Sequence, residues 1–73
     1  LPYLHYLKGE LLLYGGDYVS AAESFQRFLL TYKGQNYVKD ALYKSGMCKY
    51  LNGDSKEAER LFAKARSSGR EST

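Results

Sequence analysis

The sequence predicts an all-α fold: two helix-turn-helix repeats stacked as a short right-handed α-solenoid. Three observations carry this. The chain repeats itself 37 residues on, with Tyr6, Gly9, Gly16, Asp17, Ala21 and Phe25 returning as Tyr43, Gly46, Gly53, Asp54, Ala58 and Phe62. The identities fall at helix-contact and turn positions, and a fixed period of this size marks stacked supersecondary units. Glycine punctuation separates four helix-length segments, none of which alternates as a strand would.

The first helix opens at Leu1-Pro2, because proline has no N–H partner to lose in a first turn. It runs over Tyr3–Tyr14, with Leu4, Leu7, Leu11 and Tyr14 at the spacing of one face. Tyr6, Leu12 and Leu13 add apolar groups elsewhere, which implies cover on more than one side. Gly15-Gly16 ends it, and Asp17 is placed to cap the next helix. That helix spans about Tyr18–Tyr32, with Ala21, Phe25, Phe28, Leu29 and Tyr32 inward.

Lys33-Gly34-Gln35-Asn36 forms the loop between repeats. A third helix follows over about Tyr37–Leu51, with Val38, Ala41, Leu42, Ser45 and Cys48 inward. Asn52-Gly53-Asp54 restates the first turn. The fourth helix, about Ser55–Ser67, packs through Ala58, Leu61, Phe62 and Ala65, and Ser67-Ser68-Gly69 is expected to end it before a frayed tail. The domain reading is thus one unit over 1–73: a first repeat at 3–33, a loop at 33–36, a second repeat at 37–68 and a tail at 69–73. Gly9 and Gly46 sit mid-helix, at a cost of about 1 kcal/mol each against alanine. Recurrence at equivalent positions points to close helix approach beside Phe25 and Phe62.

Composition bounds the function. A core drawn from 73 residues gives a stability on the order of 4 to 11 kcal/mol. The single cysteine, Cys48, can neither close an internal disulfide nor build a metal site alone. The net charge of +3 is far weaker than the dense basic face of a nucleic-acid binder, and all of it lies in residues 36–73. No apolar run approaches the roughly 20 residues that span a bilayer. The sequence starts at Leu1 without Met, which suggests an excised segment, and it assigns no compartment.

Gly9, Gly16-Asp17-Tyr18, Ala21 and Phe25, with Gly46, Gly53-Asp54, Ala58, Phe62 and Ala65, resemble the tetratricopeptide repeat over about residues 3–66. That family has a small residue in the first helix, a Gly-Asp-Tyr-like turn, and an alanine followed by an aromatic four residues on. The chain departs from it at His5 and Leu42, where a large aromatic is usual, at Lys8 and Ser45, which replace a common leucine, and at Lys33, in place of a closing proline. Its period is also longer, through the Gly34-Gln35-Asn36 loop. The segment from Phe28 to Tyr43 is similar to repeats of bacterial envelope proteins.

The resemblance implies a concave groove lined by the first helix of each repeat. By position, Tyr3, Tyr6, Glu10, Leu13, Tyr43, Lys44, Met47 and Tyr50 are the candidate groove residues. Tyrosine and methionine suit adaptable peptide contact, although the same residues could pack against neighbouring repeats. The family's Lys/Arg/Asn carboxylate clamp is absent as a set; only Lys44 occupies one of its positions. Lys56, Arg60 and Lys64 form a basic stripe on the last helix, interleaved with Glu57 and Glu59. His5 and Cys48 have no nucleophilic or metal-binding neighbours in sequence, Cys48 aligns with the inner-face position Leu11, and no phosphate loop or carboxylate pair is present. The expected function is protein–protein interaction, as a scaffold or peptide-binding segment of a larger repeat protein. No cofactor and no enzymatic activity are implied. The expected partners are a protein or peptide, neighbouring repeats, or a second copy through self-association. The alternatives are a purely structural packing or capping role and, from a different class, a weakly basic nucleic-acid-binding module.

Overall fold

The structure is a computed structural model that describes residues 1–71, with side chains described through Ser68. Four helices follow one another: α1 (Pro2–Tyr14), α2 (Tyr18–Thr31), α3 (Val38–Leu51) and α4 (Ser55–Glu71). No strand occurs among the described residues. Packing is sequential, α1 on α2, α2 on α3 and α3 on α4, giving a slab of 34 × 29 × 16 Å.

Both turns within the helical pairs have the same construction. Gly16 and Gly53 each take φ +89°, the left-handed region where glycine has no Cβ penalty. The Gly16 and Asp17 N–H groups donate to Leu13 and Leu12 carbonyls at 3.1 and 2.9 Å. Gly53 and Asp54 repeat this with Tyr50 and Lys49 at 3.0 and 2.8 Å. These paired bonds close a Schellman motif and satisfy the last helical carbonyls. Asp17 then accepts from the Ser20 N–H and Asp54 from the Glu57 N–H, both at 3.3 Å, so each aspartate caps the following helix.

The mid-helix glycines admit an aromatic ring. A Cβ on Gly9 would stand 2.8 Å from Phe25 Cε1, and one on Gly46 would stand 2.6 Å from Phe62 Cε1. Phe25 is fully buried beside Ala21 in the main core, with Tyr6, Leu13, Ala22, Phe28, Ala41 and Cys48. Leu42, Leu61 and Ala65 form a second cluster further along the stack. Phe62 is only half-buried, because no further described helix packs on that side of α4.

Three sequence expectations change. The spacing Leu4-Leu7-Leu11-Tyr14 marks a face of α1 that is exposed, and the covered face is instead Tyr6-Gly9-Leu13. The reason is positional. Ala41 and Cys48, the equivalents of Leu4 and Leu11, are fully buried in α3 between α2 and α4, whereas among the described residues no helix packs on that side of α1. The fourth helix does not stop at Ser67-Ser68-Gly69 but continues to Glu71; Ser72 and Thr73 of the expected tail lie outside the described residues. Finally, α2 ends at Thr31, where Tyr32 turns extended (φ −77°, ψ 129°) and lays its ring on Phe28 at 4.5 Å.

Candidate functional site

The first helices of the two repeats, α1 and α3, meet through a polar cluster. Tyr6 and Glu10 stand one turn apart on α1, and Asp40 and Lys44 one turn apart on α3. The Lys44 ammonium donates to Glu10 at 2.5 Å and to the Tyr6 hydroxyl at 2.9 Å, and it pairs with Asp40 at 2.9 Å. The Tyr6 hydroxyl in turn donates to the Asp40 carboxylate. All three lysine N–H donors therefore have a partner, and the nitrogen also lies 5.0 Å from the centre of the Tyr6 ring.

The environment holds these charge states. Burial alone would lower the Lys44 pKa, but the bonds to Glu10, Tyr6 and Asp40 outweigh it and raise the value. Burial would raise the Asp40 pKa, and the Tyr6 and Lys44 bonds outweigh that and hold the carboxyl below its ordinary range. The Tyr6 phenol is pushed up, by burial first and then by donating to Asp40. With one cation between two carboxylates, the cluster carries a net charge of −1. A peptide carboxylate arriving at Lys44 would meet a donor set already filled and two like charges beside it.

An aromatic group extends the cluster toward the start of α1. Tyr37, in the loop before α3, approaches Tyr3 at 5.2 Å and Tyr6 at 5.3 Å between ring centres. Tyr3 stacks on Tyr6 at 5.7 Å, and Tyr6 meets the Phe25 and Phe28 rings at 5.8 and 5.4 Å.

The candidate groove residues therefore divide. Tyr6 (6% exposed) and Leu13 are core side chains, because α2 and α3 close over them. Glu10 and Lys44 are bound to each other. Tyr3, Tyr43, Met47 and Tyr50 are accessible, Tyr50 most of all at 61%. Tyr43, Met47 and Tyr50 share one stripe of α3 at i, i+4 and i+7, with the Tyr43 ring leaning on Phe62 at 5.3 Å. Their equivalents on α1 are Tyr6, Glu10 and Leu13, the residues that are covered or bridged.

Asp40 and Tyr37 were absent from the sequence-derived set. For Asp40 a local signal existed, its i, i+4 spacing to Lys44. For Tyr37 there was none, since its contacts arise across the loop.

Cys48 is fully enclosed, and burial pushes its thiol pKa up, away from the reactive thiolate. His5 is half-buried beside Lys8, Glu23 and Arg27 in a shallow cleft. Among the described residues no three His, Cys, Asp or Glu side chains cluster as metal ligands, and no helix is long and apolar enough to cross a membrane.

No curated protein and no solved structure matches the chain. A family profile described as tetratricopeptide repeat matches residues 3–34 and 40–68, one match on each helical pair. Those matches coincide with the duplicated Schellman turns and the glycine-to-phenylalanine contacts, so the chain belongs to the tetratricopeptide repeat family.

Proposed function

We propose that the chain is a protein-binding segment whose contact surface is the α3 stripe of Tyr43, Met47 and Tyr50, flanked by Tyr3 and the Glu10–Lys44 bridge. Tetratricopeptide repeats generally mediate protein–protein interaction or scaffolding. The observation that carries the finer reading is the contrast between equivalent stripes. On α1 the stripe is closed off by α3, whereas on α3 three large, semi-polar side chains remain open. The two tyrosines offer broad, stiff area with hydroxyls free for backbone groups of a partner, and Met47 adds flexible apolar area between them. Because Lys44 is already satisfied, recognition rests on this aromatic area and not on a carboxylate grip. The partner is a peptide or helical segment of another protein.

The same equivalence favours a second reading. The α3 stripe could seat the first helix of another repeat, as the α1 stripe seats α3, and the role would then be structural. One experiment separates the two. Replacing Tyr43 and Tyr50 together by alanine should abolish partner pull-down while lowering the melting temperature clearly less than Phe25→Ala does. A double variant that unfolds, or that still retains its partner, would remove the stripe from the binding role.

A further inference from the structure

We propose a second docking site, in the cleft between α2 and α4, for an amphipathic helix carrying acidic residues along one edge. The cleft encloses about 470 Å³, within the range of about 300–1,000 Å³ typical of ligand sites. Its floor is aliphatic, with Leu29 and Leu30 from α2, Val38 and Leu42 from α3, and Leu61 from α4. Its rim is polar, with Gln26 from α2 and Arg60, Lys64, Ser67 and Ser68 from α4. Leu30 stands at the mouth, 85% exposed, and no described side chain covers it. Leu30 carries the apolar floor out to the surface, so that the two together make one contiguous apolar patch.

The rim on the α4 side is basic. Arg60 and Lys64, one turn apart, both line the cleft. Arg60 is matched by Glu57 through bonds of 2.9 and 2.6 Å. Lys64 makes no ion pair among the described residues and feels the Glu57 carboxylate only at longer range, so its ammonium is open to a closer carboxylate from an occupant. An acidic side chain on the occupant answers it, and charge complementarity here fixes the occupant's orientation.

The lining also selects the occupant's backbone. An extended peptide lying on the floor would turn N–H and C=O groups toward Leu29, Val38, Leu42 and Leu61, which cannot bond them, and only the rim residues Gln26, Ser67, Arg60 and Lys64 could reach the rest. Of the two serines present, Ser68 already donates to the Ala65 carbonyl. A helix satisfies its own backbone and presents apolar anchors at i, i+3 or i+4, and i+7 to such a groove. Nucleic acid fits poorly, because no aromatic ring lines the cleft for a base to stack upon. The site shares no residue with the α3 stripe, so the two proposals stand or fall separately.

The test is selection of a display library of randomised 14-residue peptides on the full chain, with a 20-nucleotide oligothymidine and phosphatidylglycerol vesicles as parallel probes. Enriched peptides should carry Leu, Ile or Phe at i, i+3 or i+4, and i+7, with Asp or Glu on a flanking edge. Their NMR footprint should fall on Leu29, Leu42, Leu61 and Lys64. Leu30→Asp with Lys64→Glu, both at exposed positions and checked for an unchanged thermal melt, should weaken binding at least tenfold. Tyr43→Ala with Tyr50→Ala should leave it within twofold. A basic or uncharged consensus, a footprint on the α3 stripe, or capture of oligothymidine or vesicles with no acidic peptide enriched would overturn the proposal.

Discussion

Adding one methyl group at Gly9 tests the central packing argument. In an exposed helix, Gly→Ala should stabilise by about 1 kcal/mol. At Gly9 the new Cβ would stand 2.8 Å from Phe25 Cε1 and 2.9 Å from Cδ1 and Cζ. Side-chain atoms do not tolerate such distances, so the ring must move. Phe25 is fully buried, with the Tyr6 ring against it at 5.8 Å, and has no free space to enter. Overpacking of this kind costs about 1–3 kcal/mol, which leaves a net loss of up to about 2 kcal/mol after the propensity gain. For a domain of this size that lowers the melting temperature by up to about 16 °C.

Gly46→Ala provides the internal control. Its Cβ would approach Phe62 more closely, at 2.6 Å, but Phe62 is half-buried and rests on the accessible Tyr43 ring. That ring can swing outward, so the net effect at Gly46 should be near zero. Thermal and urea unfolding followed by circular dichroism would measure both variants. A Gly9→Ala/Phe25→Leu double variant should recover stability relative to the sum of its parts by about 0.5–3 kcal/mol, the coupling of residues in contact. If Gly9→Ala raises stability by the full propensity gain, or if Gly46→Ala is the more damaging change, the steric account of the repeat is wrong.

Phe25→Ala should cost about 3–5 kcal/mol, from lost burial and the cavity it leaves, and a melt shifted by only a few degrees would contradict the core assignment. Ser45 is fully buried with its hydroxyl lacking any hydrogen-bond partner; Ser45→Ala should therefore stabilise, by about 1 kcal/mol, as read from the urea midpoint. Lys44→Met should destabilise by about 1–2 kcal/mol at pH 7, since it leaves Glu10 and Asp40 as uncompensated like charges. The Asp40 contribution is present above its ordinary pKa of 3.8 and is lost as pH falls through the lowered folded value, so the gap between wild type and Lys44→Met should narrow in acid. The raised Lys44 pKa has the opposite sense, and its contribution should persist up to and beyond pH 10.5 before being lost, which urea unfolding across this range would show. The open α1 flank should drive self-association of the isolated chain, and Leu4→Lys with Leu11→Lys should reverse it in sedimentation velocity without lowering the melting temperature; a strictly monomeric wild type at high concentration would count against this.

Local chemistry made most of the fold legible in the sequence. The helix spans, the glycine turns and the aspartate caps depend on residues within a few positions of one another, so helical spacing and turn chemistry read them directly. The glycine-to-phenylalanine contact was legible for a different reason, because duplication displayed it twice. The end of α4 was misread because Ser67-Ser68-Gly69 has the composition of a stop yet only a modest cost against continuing a helix.

Tertiary structure alone decided which faces are open. Tyr6 and Tyr43 are the same residue at the same repeat position, one in the core and the other accessible. Leu11 and Cys48 are likewise equivalent, one exposed and one enclosed. Repeat position alone does not fix exposure, because cover is supplied by the neighbouring helix and not by the helix itself. The Tyr6–Asp40–Lys44–Glu10 cluster belongs to the same class, since its members come from two helices separated by a whole helix and two connections. Whether Lys44 is a free cation or a spent one is a question of distance: its own helix offers Asp40 one turn away, and only packing brings Glu10 and the Tyr6 hydroxyl to it.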